Sequence, residues 1–280
     1  EWDPTAMTLS ANLDFQADNL SGLQSVLPVR ADGPVRLTAK VAGKGSVLTA
    51  RAEATAEGVA AGAADIGRVE TILEWSDGLL SIERAGVLNQ HSNLDLQGRI
   101  RVFKPGTFEM TEPLEMDIIM DQGLVLLEDF LPDARGRVRI QGAVKGSPAD
   151  FSGRLGISAN GLEIYGQSLE TVSLQAALNG NRIDIRDLII EVSPTSGIKG
   201  VGRVSPVDRT FDLNLKATDF DLTDVNALQG RGLRKAFISM DLDVDGTFAA
   251  PRARVHLRAA DLILEARPDM TGELEAVIRA

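Results

Sequence analysis

Cysteine is absent from the sequence, which excludes disulfides and thiolate metal sites. Its absence fits an oxidising compartment such as a periplasm, although cytosolic domains can lack it too. Histidine is almost absent as well, with only His91 and His256, so a zinc site built from imidazoles has too few ligands. Aromatic residues make up 4%, so an interior of Val, Ile, Leu and Ala is expected rather than an aromatic-rich enzyme core. No apolar run approaches the ~20 residues that cross a bilayer; pieces such as "GLVLL" (Gly123 to Leu127) are the longest. No signal peptide is visible. Basic clusters are missing too. With a formal net charge of −11 and Lys and Arg scattered, the chain offers neither a stripe for nucleic acid nor a polybasic membrane anchor. The chain starts at Glu1 without a methionine and stops mid-pattern at Ala280, so a piece of a longer protein is expected, with any anchor outside it.

What the sequence does have is repetition. "GPVRLTAKVAG" (Gly33 to Gly43) and "GRVRIQGAVKG" (Gly136 to Gly146) lie 103 positions apart, and that offset also carries Gly58 onto Gly161, Val69 onto Val172 and Leu80 onto Ile183. A third copy follows 100 positions later, with Gly146 over Gly246, Leu155 over Val255 and Ile157 over Leu257. A similar preface precedes each copy: "LDFQADNLSGLQSVLP" from Leu13, "LEMDIIMDQGLVLLEDFLP" from Leu114 and "FDLNLKATDFDLTDVNALQG" from Phe211. The expected organisation is one continuous array: repeat 1 over 1–112, repeat 2 over 113–209 and a truncated repeat 3 over 210–280.

Within a repeat the apolar period is mostly two, the mark of half-buried strands. Turn signals such as "NGNR" (Asn179 to Arg182) and "SDG" (Ser76 to Gly78) separate the strands. In the prefaces, Leu20 to Leu27, Leu124 to Leu131 and Leu222 to Leu228 space their apolar residues by three and four, which predicts one or two turns of helix. The fold class is therefore all-β with a few short helices: an elongated array of antiparallel meanders forming an open bent sheet with an aliphatic interior.

Catalytic chemistry finds little support. His256 falls on the polar phase of its strand between Val255 and Leu257, and its counterparts in the other copies are Gly156 and Glu53. The densest acidic stretch, "DLDVDG" (Asp241 to Gly246), begins like a calcium loop, but the position that should carry a bidentate Glu is Arg252. Asp241, Asp243 and Asp245 are matched by Gln141, Ala143 and Lys145, and by Thr38, Lys40 and Ala42. The residues between them stay aliphatic or small: Met240, Leu242 and Val244 match Ile140, Gly142 and Val144, and Leu37, Ala39 and Val41. "GKG" and "GVG" lack the helix start of a phosphate loop. No catalytic residue, metal or cofactor is expected.

The ordered elements "LLEDFLP", "GRVRIQGAVKGSPADFSGRLGISANGLEI", "LETVSLQAALNGNRIDIRDLIIE" and "GIKGVGRVSP" resemble the AsmA/TamB-like family, and the pattern extends over essentially the whole chain. The first copy departs most, through its Ala-rich "ARAEATAEGVAAGAADIG". The resemblance implies a periplasmic protein tethered to the inner membrane, reaching toward the outer membrane as a β-taco with an aliphatic trough. It also implies phospholipid or other acyl-chain cargo, an outer-membrane barrel partner and a part in outer-membrane biogenesis. The trough-lining candidates are Leu37 and Val41 in the first copy. In the second they are Val138, Ile140, Val144, Leu155, Ile157, Val172, Leu174, Leu178, Ile183 and Ile185. In the third they are Leu213, Leu215, Met240, Leu242, Val244, Val255 and Leu257. Three other readings of the pattern stay open: a closed sandwich or solenoid, a scaffold offering strand edges to outer-membrane or autotransporter proteins, and an enzyme such as a polysaccharide lyase. A β-helix would show a coil period of roughly 20–25 residues, which is lacking.

Overall fold

Alternation of period two becomes a succession of antiparallel ladders in the computed structural model, and no α-helix occurs among the described residues. The structure describes residues 8–19, 30–44, 47–61, 64–89, 91–107, 109–147, 150–229, 233–264 and 267–279. The chain divides into two bodies. The first is Glu1–Phe130 with Ile140–Ser152, and the second is Leu131–Arg139 with Gly153–Ala280.

The first body contains β1 (Thr8–Ala17), β2 (Arg30–Ala31), β3 (Val35–Lys44), β4 (Val47–Ala61), β5 (Ala64–Ser76), β6 (Leu79–Asn89), β7 (Ser92–Phe103) and β8 (Met110–Leu126). β9 (Ala134–Arg135) belongs to the second body, and β10 (Arg137–Gly146) supplies its later residues to the first. The second body continues with β11 (Phe151–Ile164), whose first two residues belong to the first body, and with β12 (Gln167–Asn179), β13 (Arg182–Ser193), β14 (Ser196–Ser205), β15 (Thr210–Asp221), β16 (Leu233–Thr247), β17 (Ala250–Leu264) and β18 (Arg267–Arg279). Each strand from β3 to β7 pairs antiparallel with the next, as does each from β12 to β17. β1 pairs with β3, and β8 also pairs with β10.

Two turn signals become tight hairpins. Asp77 and Gly78 both take positive φ, 47° and 72°, between the paired ends Ser76 and Leu79. Gly180, at φ 54°, links Asn179 to its partner Arg182. The first two copies share glycines for a conformational reason: the equivalent residues Gly58 and Gly161 stand at φ 60° and 64°, a region costly for side chains with a Cβ.

The prefaces differ from the expected helices. β8 runs on as strand through Leu126, and only a single 3-10 turn follows, Leu127–Asp129. The third preface forms two successive 3-10 turns, Leu222–Asp224 and Asn226–Leu228. Leu124, Val125 and Leu126 are half-buried in strand geometry, so ladder pairing overrides the helical spacing. The first preface helix, Leu20 to Leu27, lies outside the described residues.

Candidate functional site: an aliphatic sheet face

Cross-strand partners in an antiparallel ladder share a face, so the printed registers define the candidate surface directly. In the second body four rows cross the sheet. One runs Val172, Ile190, Ile198, Ala217, Met240, Leu257, and the next Leu174, Leu188, Gly200, Leu215, Leu242, Val255. A third runs Ala176, Ile185, Gly202, Leu213, Val244, Ala253, and the last Leu178, Ile183, Val204, Phe211, Gly246, Pro251. Twelve of the candidate residues therefore fall on one face: Val172, Leu174, Leu178, Ile183, Ile185, Leu213, Leu215, Met240, Leu242, Val244, Val255 and Leu257 make it up with only glycine, alanine, proline or further apolar residues between them. On β11, Leu155 and Ile157 are half-buried and stand between exposed Arg154 and Ser158. Val138 is buried on β10.

The first body repeats the arrangement with smaller residues. Leu37 lies between Phe15 and Ala54, and Val41 between Ala11 and Ala50; the latter row continues through Trp75, Leu80, Ile100 and Met116. Ile140 and Val144 are half-buried on β10.

The face is a single layer. Its leucines, isoleucines and valines are mostly half-buried, covered by their in-plane neighbours. Among the described residues, the largest side chain below 2% exposure is that of Ser196, and most of the buried hydrophobics are alanines. A filled sandwich interior would instead bury its large aliphatics completely.

The opposite face is closed by charge pairing. Arg51 Nη1 contacts Glu74 at 2.5 Å and Glu83 at 2.8 Å, and these partners raise its pKa further. Asp95, 2.8 Å from Arg84 Nε, does the same for that guanidinium. Partial desolvation pushes the Asp184 carboxyl up, but the Asn179 hydrogen bond together with Arg182 and Arg203 outweighs it, and the net shift is down. The three aspartates of "DLDVDG" are engaged in the same way. Asp241 meets Lys216 Nζ at 3.1 Å, Asp243 accepts from Asn214 Nδ2 at 2.7 Å, and Asp245 accepts from Arg252 Nε at 2.7 Å. They are rungs of a wet face, and the described residues contain no group of three metal-ligating side chains. His256 is exposed, opposite Asp241.

Where the first and second bodies each receive a 3-10 turn, the same latch appears. Buried Ser92 donates to Asp129 Oδ2 at 2.6 Å and accepts from the Leu126 N–H at 2.9 Å. Buried Ser196 donates to Asp224 Oδ2 at 2.5 Å and accepts from the Asp221 N–H at 3.0 Å. Ser193 adds a second donor to Asp224 at 2.6 Å. In the second body Gln167 also holds the segment, donating to the Asp224 carbonyl and accepting from the Asn226 N–H. In the second body the first of the two turns packs against β16 and the second against β12.

Sequence reasoning missed these serines, and it missed Leu188, Ile190, Ile198, Val204 and Phe211 of the apolar face. Leu188 was missed because a bulge at Arg186 and Asp187 shifts the phase of β13 by one. No family model, no curated protein and no solved structure matches the chain.

Proposed function

We propose that the aliphatic face is a groove for the acyl chains of phospholipids or similar lipids, and that the protein moves such chains between membranes. The observation that carries this reading is the unbroken set of aliphatic rows, half-exposed and free of charge, on one side of the second body's sheet. Each methylene held out of water is worth ~0.8 kcal/mol, so exposing a chain of roughly sixteen costs on the order of 13 kcal/mol. Transfer from bilayer to a surface of Leu, Ile and Val is close to neutral, which lets a lipid enter and leave. Polar groups along the path would hold it in place, and the ion pairs of Arg51, Arg84 and Asp241 stand on the other face. The binding is non-covalent and requires no catalytic group. Placement in the periplasm, with a membrane tether and an outer-membrane barrel partner, belongs to the same proposal and rests on the AsmA/TamB-like resemblance. Mass spectrometry of organic extracts from the purified protein tests the reading. Stoichiometric phospholipid is expected; lipid-free protein that also takes up no fluorescent fatty acid would overturn it.

A further inference from the structure

The aliphatic face of the second body is covered at one end and open at the other. Ser196 stands on β14 in phase with Ile198, Gly200, Gly202 and Val204, so its side chain takes the apolar side. Yet it is 1% exposed, with its hydroxyl on Asp224 of the first 3-10 turn. That turn therefore lies over the apolar side. The two turns together form a strap across the strand ends, reaching from β16 back to β12, where Gln167 and the Gly166 carbonyl hold Asn226. Phe220, which leads into the strap, is 6% exposed. At the opposite ends of the same strands the apolar surface runs out into water. Beyond Val204 and Phe211, Val207 is 68% exposed, and Phe248, stacked on Phe211 with ring centroids 5.9 Å apart, is 54% exposed. The first body repeats the covered end: Ser92 on β7, in phase with Leu94, is buried at its bond to Asp129.

The length between the two ends is that of an acyl chain. From the row of Ile198 to the row of Val204 is six residues along β14, about 20 Å at ~3.3 Å per residue. An extended hydrocarbon advances about 1.3 Å per methylene on bonds of about 1.5 Å, so about sixteen carbons fill that length. The two ends also differ in the way an amphiphile does. Exposed Arg182 and Arg209 flank the open end, whereas the strap end is dry at Ser196 and Phe220. A chain laid along the strands sets its polar group in water beside those arginines. Laid across the strands, along one row, it would set that group over aliphatic side chains at every position.

We propose that the serine-latched strap is a stop that sets the chain length the face accepts: acyl chains lie along the strands, methyl end against the strap and polar group at the hairpin tips. The inference rests on the acyl-chain reading above and adds orientation and length selection to it. Saturated fatty acids of about twelve to twenty-two carbons, displacing a fluorescent analogue from the full chain, are the probe. Affinity should rise about fourfold per methylene up to about sixteen carbons and then stay level, since further methylenes remain in water at the open end. Ser193→Ala combined with Ser196→Ala releases Asp224 and should carry the rise to longer chains. A second measurement needs no variant. A fatty acid with a nitroxide near its methyl end should broaden the methyl resonances of Ile190 and Ile198, and one labelled near the carboxyl end those of Val204. A rise that continues unbroken through the longest chains, an unmoved plateau in a folded serine variant, or equal broadening at the two ends would each overturn the stop while leaving the groove. Absence of binding by every chain would remove the groove itself, and the stop with it.

Discussion

Leu242 lies within the second body's apolar face, between Leu215 on β15 and Val255 on β17, and it is half-buried. Full burial of a leucine is worth about 1.5–3 kcal/mol, so half burial sets the transfer loss on removing it near 1 kcal/mol. In Leu242→Asp the carboxylate keeps water on its open side, and the penalty of several kcal/mol for an unpaired buried charge does not arise. Adding the poorer strand preference of Asp brings the total to about 1–2 kcal/mol, against a domain stability of about 5–15 kcal/mol. The variant should therefore stay folded. Lipid binding responds differently, because an acyl chain laid over that site strips the carboxylate of water. A loss of about 3 kcal/mol follows, roughly a hundredfold in affinity. Urea unfolding followed by far-ultraviolet circular dichroism reads the first quantity, and titration with a fluorescent fatty acid reads the second. Val201→Asp, on the wet face opposite Asn214, is the control and should change neither. A stability loss above about 4 kcal/mol would refute the single-layer argument, since that magnitude belongs to a closed core. Undiminished fatty-acid binding by a folded Leu242→Asp protein would refute the groove.

The latches predict that Ser196→Ala, which leaves Asp224 and the Asp221 amide short of a partner, lowers stability by about 1–3 kcal/mol, with Ser92→Ala similar; an unchanged urea midpoint would show the serines to be passive. Gly202→Val should be far worse than Gly161→Ala. At Gly202 an added Cβ lies 2.8 Å from the Leu213 backbone, a cost of more than about 2 kcal/mol, whereas Gly161 meets nothing within 4 Å and has only its positive φ to offset, about 1 kcal/mol; melting temperatures that rank the two the other way would contradict the register. Asp184 has a lowered pKa in the folded state, so it stabilises the fold at neutral pH and ceases to do so as pH falls through that lowered value. The wild type should thus exceed Asp184→Asn in urea midpoint at pH ~6 and converge with it only below the ordinary Asp value of about 3.9.

Strand identity and the face each residue takes were readable from the letters, because alternation of period two is a local property. Comparing the copies sharpened this: Leu37 and Met240, far apart in sequence, hold equivalent ladder positions, and the drifting aspartates beside Leu242 were correctly assigned to the wet side. Three features were not readable. The leucines of "GLVLLEDF" satisfy both a helical and a continuous apolar strand pattern, and only pairing with β7 decides between them. The bulge at Arg186 and Asp187 changes phase without any glycine or proline to announce it. The latch joins Ser92 to Asp129 and Ser196 to Asp224 across 37 and 28 residues, separations at which single serines and aspartates carry no local signal.

Because nearly every strand pairs with its successor in the chain, each body can grow from an edge, one hairpin at a time, without waiting for distant segments to meet. Such an order keeps loop-closure entropy low and favours fast assembly for an all-β protein. It also implies gradual loss: under load or denaturant the outermost strand can peel while the remainder stays paired, as in a one-dimensional array. The serine latches then act as stops along the zipper. Opening past β14 requires breaking Ser196 from Asp224, so unfolding traces under force should show a pause there that Ser196→Ala removes.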